Sequence, residues 1–202
     1  MLLAHTVSAM RRMLKICDQY AIDFDVKFNS RKSVAMRIGP RYNAVCEPLE
    51  LAGENISYVT SVKYLGVVLA ASSHFMCVID HVKIKFYRVF NCIYSKSKAA
   101  DAENVTVELL KRYCLPFLLY ASEAVTFSLT NCRRLDNCIN RVMFRIFGLS
   151  DSEQLWQLRH VFGLPSVQLM IENRRRNFID RLLDDDRFET VLSFSNFNIF
   201  IN

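Results

Sequence analysis

Apolar residues recur at Met10, Met13, Leu14, Cys17, Tyr20 and Ala21, three or four positions apart, and this spacing predicts a first helix. The period then changes. Val34, Met36 and Ile38 alternate with Ala35 and Arg37, as in a strand with one buried face, and Asp25–Phe28 is also read as extended. The strand Lys32–Ile38 is stopped by Gly39-Pro40. Leu49–Ala52 and Ile56–Tyr58 flank Gly53-Glu54-Asn55, which predicts a hairpin turning on those three residues. Val62–Leu69, rich in β-branched residues, reads as one further strand, with no strand expected after it.

Beyond that point the spacing is helical. Ile79, Val82, Phe86, Val89, Phe90 and Ile93 mark one helix. Leu109, Leu110, Tyr113, Cys114, Phe117 and Leu118 mark a second, in which Pro116 is expected to make a kink. A third carries Leu135, Cys138, Ile139, Val142, Met143, Ile146 and Phe147, with Gly148 as its stop. Ser150 and Glu153 form a capping-box pattern for a fourth, closed by Gly163 and Pro165. Ser166 caps a fifth, with Val167, Met170, Ile171, Phe178 and Leu182 on one side. Trp156 is read as a core or helix-packing residue. The predicted fold class is α+β: a helix and short strands, then helices only.

Composition narrows this modestly. A chain of 202 residues allows one or two domains, and 51% hydrophobic residues with only five Gly and four Pro argue for a folded, mostly helical chain. The net charge of +6 divides evenly at Leu69, with nine basic and six acidic residues up to that point and seventeen and fourteen after it. No basic tail stands out, so the charge admits a nucleic-acid partner without demanding one. The seven cysteines (Cys17, Cys46, Cys77, Cys92, Cys114, Cys132 and Cys138) are odd in number and show no Cys-x-x-Cys spacing. They read as reduced, mostly core thiols of an intracellular protein, cytoplasm and nucleus being indistinguishable. The longest apolar run, Leu115–Leu129, is interrupted by Glu123 and too short to span a bilayer, and no secretory signal is recognised; no membrane partner is expected.

Two motifs carry more. The first is Phe28-Asn29-Ser30-Arg31-Lys32, followed by Ser33-Val34-Ala35-Met36-Arg37-Ile38-Gly39; the second is Lys63-Tyr64-Leu65-Gly66 within Ser61–Leu69. In this order and separation they resemble the end of the palm in reverse transcriptases of non-LTR (LINE or jockey-like) retrotransposons. Leu164-Pro165-Ser166 through Arg174–Arg176 is similar to the region that follows the thumb in those enzymes. The resemblance implies a palm remnant of a helix and short antiparallel strands over 1–70, a helical thumb over 71–149, and a helical connector and tail over 150–202.

In that family a Tyr/Phe-Ala-Asp-Asp metal site stands immediately before a segment like Leu2-Leu3-Ala4. With the chain starting at Met1 those carboxylates are expected to be missing. The intact enzymes are RNA-directed DNA polymerases that use Mg²⁺ and a template–primer of RNA and DNA. This chain is then expected to be a truncated fragment, without a cofactor and inactive alone. Asp23 with Asp25, and Asp184-Asp185-Asp186, are not expected to replace the metal site. Lys32 matches the family lysine that neutralises the pyrophosphate leaving group, and Asn29 reads as a turn residue. Lys63, Tyr64, Leu65 and Gly66 match the primer grip. Lys83, Lys85 and Arg88, with Lys96 and Lys98, match thumb cations on template–primer phosphates. Arg174–Arg176 point in different directions and make a weaker signal. Loss of the neighbouring palm strands implies self-association through an exposed palm face. The alternatives are a non-catalytic nucleic-acid-binding module and a small helical interaction protein.

Overall fold

The structure, a computed structural model, describes residues 1–98, 102–149 and 151–184. It is an α+β protein that divides into two compact units, Met1–Val78 and Ile79–Asn202.

The first unit opens with α1 (Val7–Asp23), whose N-terminus is closed by Thr6: the Thr6 hydroxyl accepts from the Ala9 backbone N–H at 3.1 Å. Then come a 3₁₀ turn (Ser30–Lys32), β1 (Val34–Ala35), β2 (Leu49–Leu51), β3 (Glu54–Tyr58), β4 (Ser61–Tyr64), β5 (Val67–Ala70) and β6 (Met76–Val78). They form two three-stranded sheets, in the orders β1-β3-β2 and β4-β5-β6. Leu14 of α1 packs with Leu49, Leu51 and Ile56 in a small core rimmed by Val7, Met10, Cys17, Ala35 and Tyr58.

Several strand expectations need correction. Only Val34–Ala35 of Lys32–Ile38 is paired, and it runs parallel to β3, Val34 opposite Ser57. Beyond it the Arg37 side chain donates to the carbonyls of Ala44, at 2.6 Å, and Arg41. Asp25–Phe28 is not a strand, since Asp25 sits at φ 51° in the turn after α1. The first hairpin turns on Ala52-Gly53 (φ 53° and 75°), a residue earlier than expected, which sets Leu49 opposite Ile56 and Leu51 opposite Glu54. Val62–Leu69 is two strands rather than one. Leu65-Gly66, at φ 46° and 82°, forms a second two-residue turn in which both central residues have positive φ, as the right-handed twist of hairpin strands favours. A third strand, β6, follows after Leu69, pairing Leu69 with Cys77.

The second unit is helical: α2 (Asp80–Ser97), α3 (Glu103–Leu109), a π turn (Leu110–Cys114), α4 (Leu115–Leu118), α5 (Leu129–Phe147), α6 (Ser152–Val161) and α7 (Val167–Leu183). Its core is much larger than that of the first unit. Phe86 and Phe90 of α2, Leu110, Cys114 and Leu118, the α5 stripe Leu135–Cys138–Ile139–Val142–Met143, and Val167 of α7 are all at most 2% exposed. Pro116 acts through the turn before it. Proline has no N–H to offer the Arg112 carbonyl four residues back, and the Leu115 N–H reaches Leu110 O, five back, widening the turn. Tyr113 and Phe117, two of the apolar positions that marked this helix, are 58% and 40% exposed.

The later caps follow their sequence signals. Gly148 ends α5 at φ 62°. Gly163 and Leu164 donate back to the carbonyls of His160 and Arg159 at 3.0 and 2.8 Å, closing α6 in a Schellman turn. The Ser166 hydroxyl accepts from the Leu169 N–H at 3.2 Å. Asp151 caps α6, accepting from Glu153 N–H; Ser150 of the anticipated capping box lies outside the described residues, as do Asp185, Asp186 and the tail. Trp156 is 69% exposed on α6, stacked on His160 at 6.0 Å, and is not a core residue. Among the described residues no helix is long and apolar enough to cross a membrane.

Candidate nucleic-acid interface

In the first unit Lys32 ends the 3₁₀ turn instead of starting a strand. The Asn29 side chain accepts from the Lys32 backbone N–H at 3.0 Å, so Asn29 is the turn residue its sequence position suggested. Lys32 is exposed. The depression beside it, about 350 Å³ and open, is lined by Lys27, Phe28, Asn29, Ser30, Arg31 and Glu54, with Ser30 hydrogen-bonded to Glu54. Lys32 itself does not line it.

Lys63, Tyr64, Leu65 and Gly66 come together at the tip of the β4–β5 hairpin, Lys63 opposite Val68 and Tyr64 opposite Val67. Lys63, Tyr64 and Leu65 are exposed, and β4 is an edge strand.

Asp23 and Asp25, the pair nearest the first motif, take separate places. Asp23 ends α1 and accepts from the Gln19 amide at 2.7 Å, while Asp25 lies in the following turn. Among the described residues no three His, Cys, Asp or Glu side chains gather as a metal-binding group.

Within the second unit the positive charge gathers on two helices. The α2 helix carries Lys83, Lys85, Arg88 and Lys96 against the single carboxylate Asp80, and α5 carries Arg133, Arg134, Arg141 and Arg145 against the single carboxylate Asp136. Each helix is thus +3, against −3 for the rest of the second unit and +3 for the first unit. Both carboxylates are already engaged. Asp80 pairs with Lys83 at 3.3 Å and Arg134 at 2.9 Å, and Asp136 pairs with Arg159 at 2.9 Å.

On α2 the anticipated cations separate. Lys85, Arg88 and Lys96 share the outer face, together with exposed Ile84 and Cys92. Lys83 lies on the other side of the helix, beside Asp80 and α5. The sequence reading missed the α5 arginines, whose spacing becomes a row only once the residues from 129 are placed on one helix.

The α2 and α5 helices meet along a polar seam. At one end is the Asp80–Arg134 pair; at the other, Arg145 donates to the Asn91 side chain at 2.8 Å and stacks on Tyr94, 4.7 Å from the ring centroid. Tyr94 Oη donates to the Arg145 carbonyl at 2.9 Å. Tyr87 lies between, its hydroxyl facing Cys138 and Arg141. Burial first, then the Cys138 thiol, push the Tyr87 phenol up to about 12, outweighing the opposite pull of Arg141. Tyr87 is therefore a neutral hydroxyl at physiological pH.

Arg174 and Arg175 are occupied elsewhere. They donate to Glu123 at 2.7 Å and the Thr126 hydroxyl at 3.0 Å, tying α7 to the loop before α5. Comparison of the chain with protein-family models, curated proteins and solved structures finds no match.

Proposed function

We propose that this chain is a nucleic-acid-binding fragment of a non-LTR retrotransposon reverse transcriptase, comprising the end of the palm, the thumb and the connector. The observation that carries the binding function is the charge distribution: α2 and α5 are each +3, and both of their carboxylates are held in ion pairs. A polyanion gains from such a surface by releasing counterions. The family part of the reading rests on the motif order. The Asn29–Lys32 turn is followed by a hairpin and then by an exposed Lys63-Tyr64-Leu65-Gly66 tip.

The proposed protein binds a template–primer of RNA and DNA without extending it. Lys32 matches the residue that partners the leaving pyrophosphate in the intact family. The test is a pair of measurements on the full chain. Fluorescence anisotropy with a labelled RNA–DNA hybrid is expected to show binding that weakens with salt, and primer extension with dNTPs and Mg²⁺ is expected to show no incorporation. Absence of binding at low salt overturns the binding function, and Mg²⁺-dependent incorporation overturns the loss of catalysis.

A further inference from the structure

Arg134, Arg141 and Arg145 are separated by seven and then four residues on α5, and all three are exposed. On a helix of 3.6 residues per turn these positions fall within about 40° of one line and span about 16 Å along the axis. They form a straight row of guanidinium groups.

The seam holds that row in place. Arg134 is fixed through Asp80, and Arg145 lies against Tyr94 and is fastened by Asn91. Arg141 lies beside the Tyr87 hydroxyl. An arginine has five N–H donors in a planar fork, so one fixed contact leaves others to serve a ligand. Tyr94 is covered by Arg145 on the seam and stacks on Phe90 at 5.4 Å, so it offers no platform to a base. The seam has donors for an extended anion and nothing that distinguishes bases.

We propose that the α2–α5 seam, with Arg134, Arg141 and Arg145 as its row of donors, binds the phosphodiester backbone of a nucleic-acid strand without reading sequence. This deepens the binding function proposed above and rests on it: it moves the contact from the outer face of α2 to the seam. Guanidinium forks match phosphate oxygens in pairs, and a strand presents phosphates at intervals along a line as the row presents donors.

The test uses the full chain and three labelled probes: a single-stranded oligo(dT), an RNA–DNA hybrid, and poly-glutamate as an acidic polymer without phosphate. Arg141→Ala is expected to lower affinity for both nucleic acids several-fold and to reduce the log–log salt slope on the single strand by about 0.7. Arg141→Lys keeps the charge; it should retain the slope and lose part of the affinity. Lys85→Ala with Arg88→Ala, on the outer face, should lower affinity less than Arg141→Ala does. Thermal melting of each variant separates lost binding from lost folding, and Arg141→Lys serves if Arg141→Ala melts early. Loss of binding in the outer-face variant with Arg141→Lys and Arg141→Ala unchanged overturns the seam and leaves the proposed function standing. Failure of the unmodified chain to bind either nucleic acid overturns both. Poly-glutamate binding as tight as oligo(dT) overturns the phosphodiester assignment.

Discussion

Arg159 Nη2 and Asp136 Oδ1 lie 2.9 Å apart, and around this pair three helices are fastened together. Arg159, in α6, also donates to Asn140 of α5 at 2.6 Å and to the carbonyls of Leu164 and Pro165 in the turn before α7. Asp136 in turn accepts from the Val167 N–H, at 3.2 Å, on the first residue of α7. With side chains 12% and 26% exposed, neither partner has much water to fall back on.

Replacing Asp136 by Ala should therefore be costly. It strands a mostly buried guanidinium and removes the acceptor for Val167, and a loss on the order of 3 kcal/mol is expected. Asp136→Asn keeps an acceptor and should lose less. Urea unfolding measures both, and a shift under about 1 kcal/mol for Asp136→Ala would show the pair to be incidental.

Leu65 occupies a left-handed position, φ 46°, that a side chain with a Cβ enters at a cost. Leu65→Asn or Leu65→Gly should stabilise the β4–β5 hairpin by about 0.5–1 kcal/mol, and Ala52→Asn should act alike in the first hairpin. A lower melting temperature for Leu65→Gly would mean that the leucine side chain contributes more than the strain removes.

These two sites show why the helices were legible and the strands were not. The α5 helix carries apolar residues on one stripe over five turns and ends at Gly148, so periodicity and cap agree. The β4–β5 turn has Leu where Asn or Asp is usual, and an apolar residue inside Val62–Leu69 hides the reversal. The last strand, β6, has three residues behind a Ser-Ser-His stretch, too short to show an alternation. Trp156 was assigned to packing by its chemistry, yet Leu155 beside it is the residue of α6 that turns inward. The site was only partly legible. The hairpin tip was visible as a motif, but Arg134, Arg141 and Arg145 are too widely spaced in sequence to read as a cluster.

Thiol reactivity should report which cysteines are buried. Cys92 is exposed, whereas Cys77, Cys114, Cys132 and Cys138 are buried, and burial pushes the Cys114 thiol up to about 11. With an aromatic disulfide reagent under native conditions, Cys92 should react at once and those four only on unfolding in urea. Immediate reaction of all seven thiols would contradict the packed core.

Acid should weaken the tie between α7 and the loop before α5. Burial raises the Glu123 carboxyl, but hydrogen bonds from its own backbone N–H and from Arg174 outweigh this and hold it below the usual carboxylate range. A depressed folded value stabilises the protein above the unfolded pKa, about 4.3, and that stability is lost as pH falls through the folded value. Glu123→Gln should thus be less stable at neutral pH, by about 1 kcal/mol or less since Arg174 is partly exposed, with the difference vanishing in acid. A difference that stays constant down to low pH would show that charge is not the cause.

Self-association is expected from α1, whose Ile16, Tyr20 and Phe24 follow one another at four-residue intervals and are 69%, 49% and 64% exposed. Sedimentation velocity should show a concentration-dependent species that Ile16→Lys reduces. A single monomeric species across concentrations would remove this face from consideration.

Because the contacts of Asp80 with Arg134 and of Asn91 and Tyr94 with Arg145 set α2 and α5 side by side in the same direction, their peptide dipoles add. Each helix end behaves as about half an elementary charge, so the end at Ser97 and Phe147 carries nearly one negative charge before any side chain is considered. Arg145 and Lys96 sit in the last turns and are partly neutralised by the backbone itself. The electrostatic potential therefore slopes along the seam, most positive toward the middle and the start of α5. A polyanion arriving there meets a direction as well as a charge.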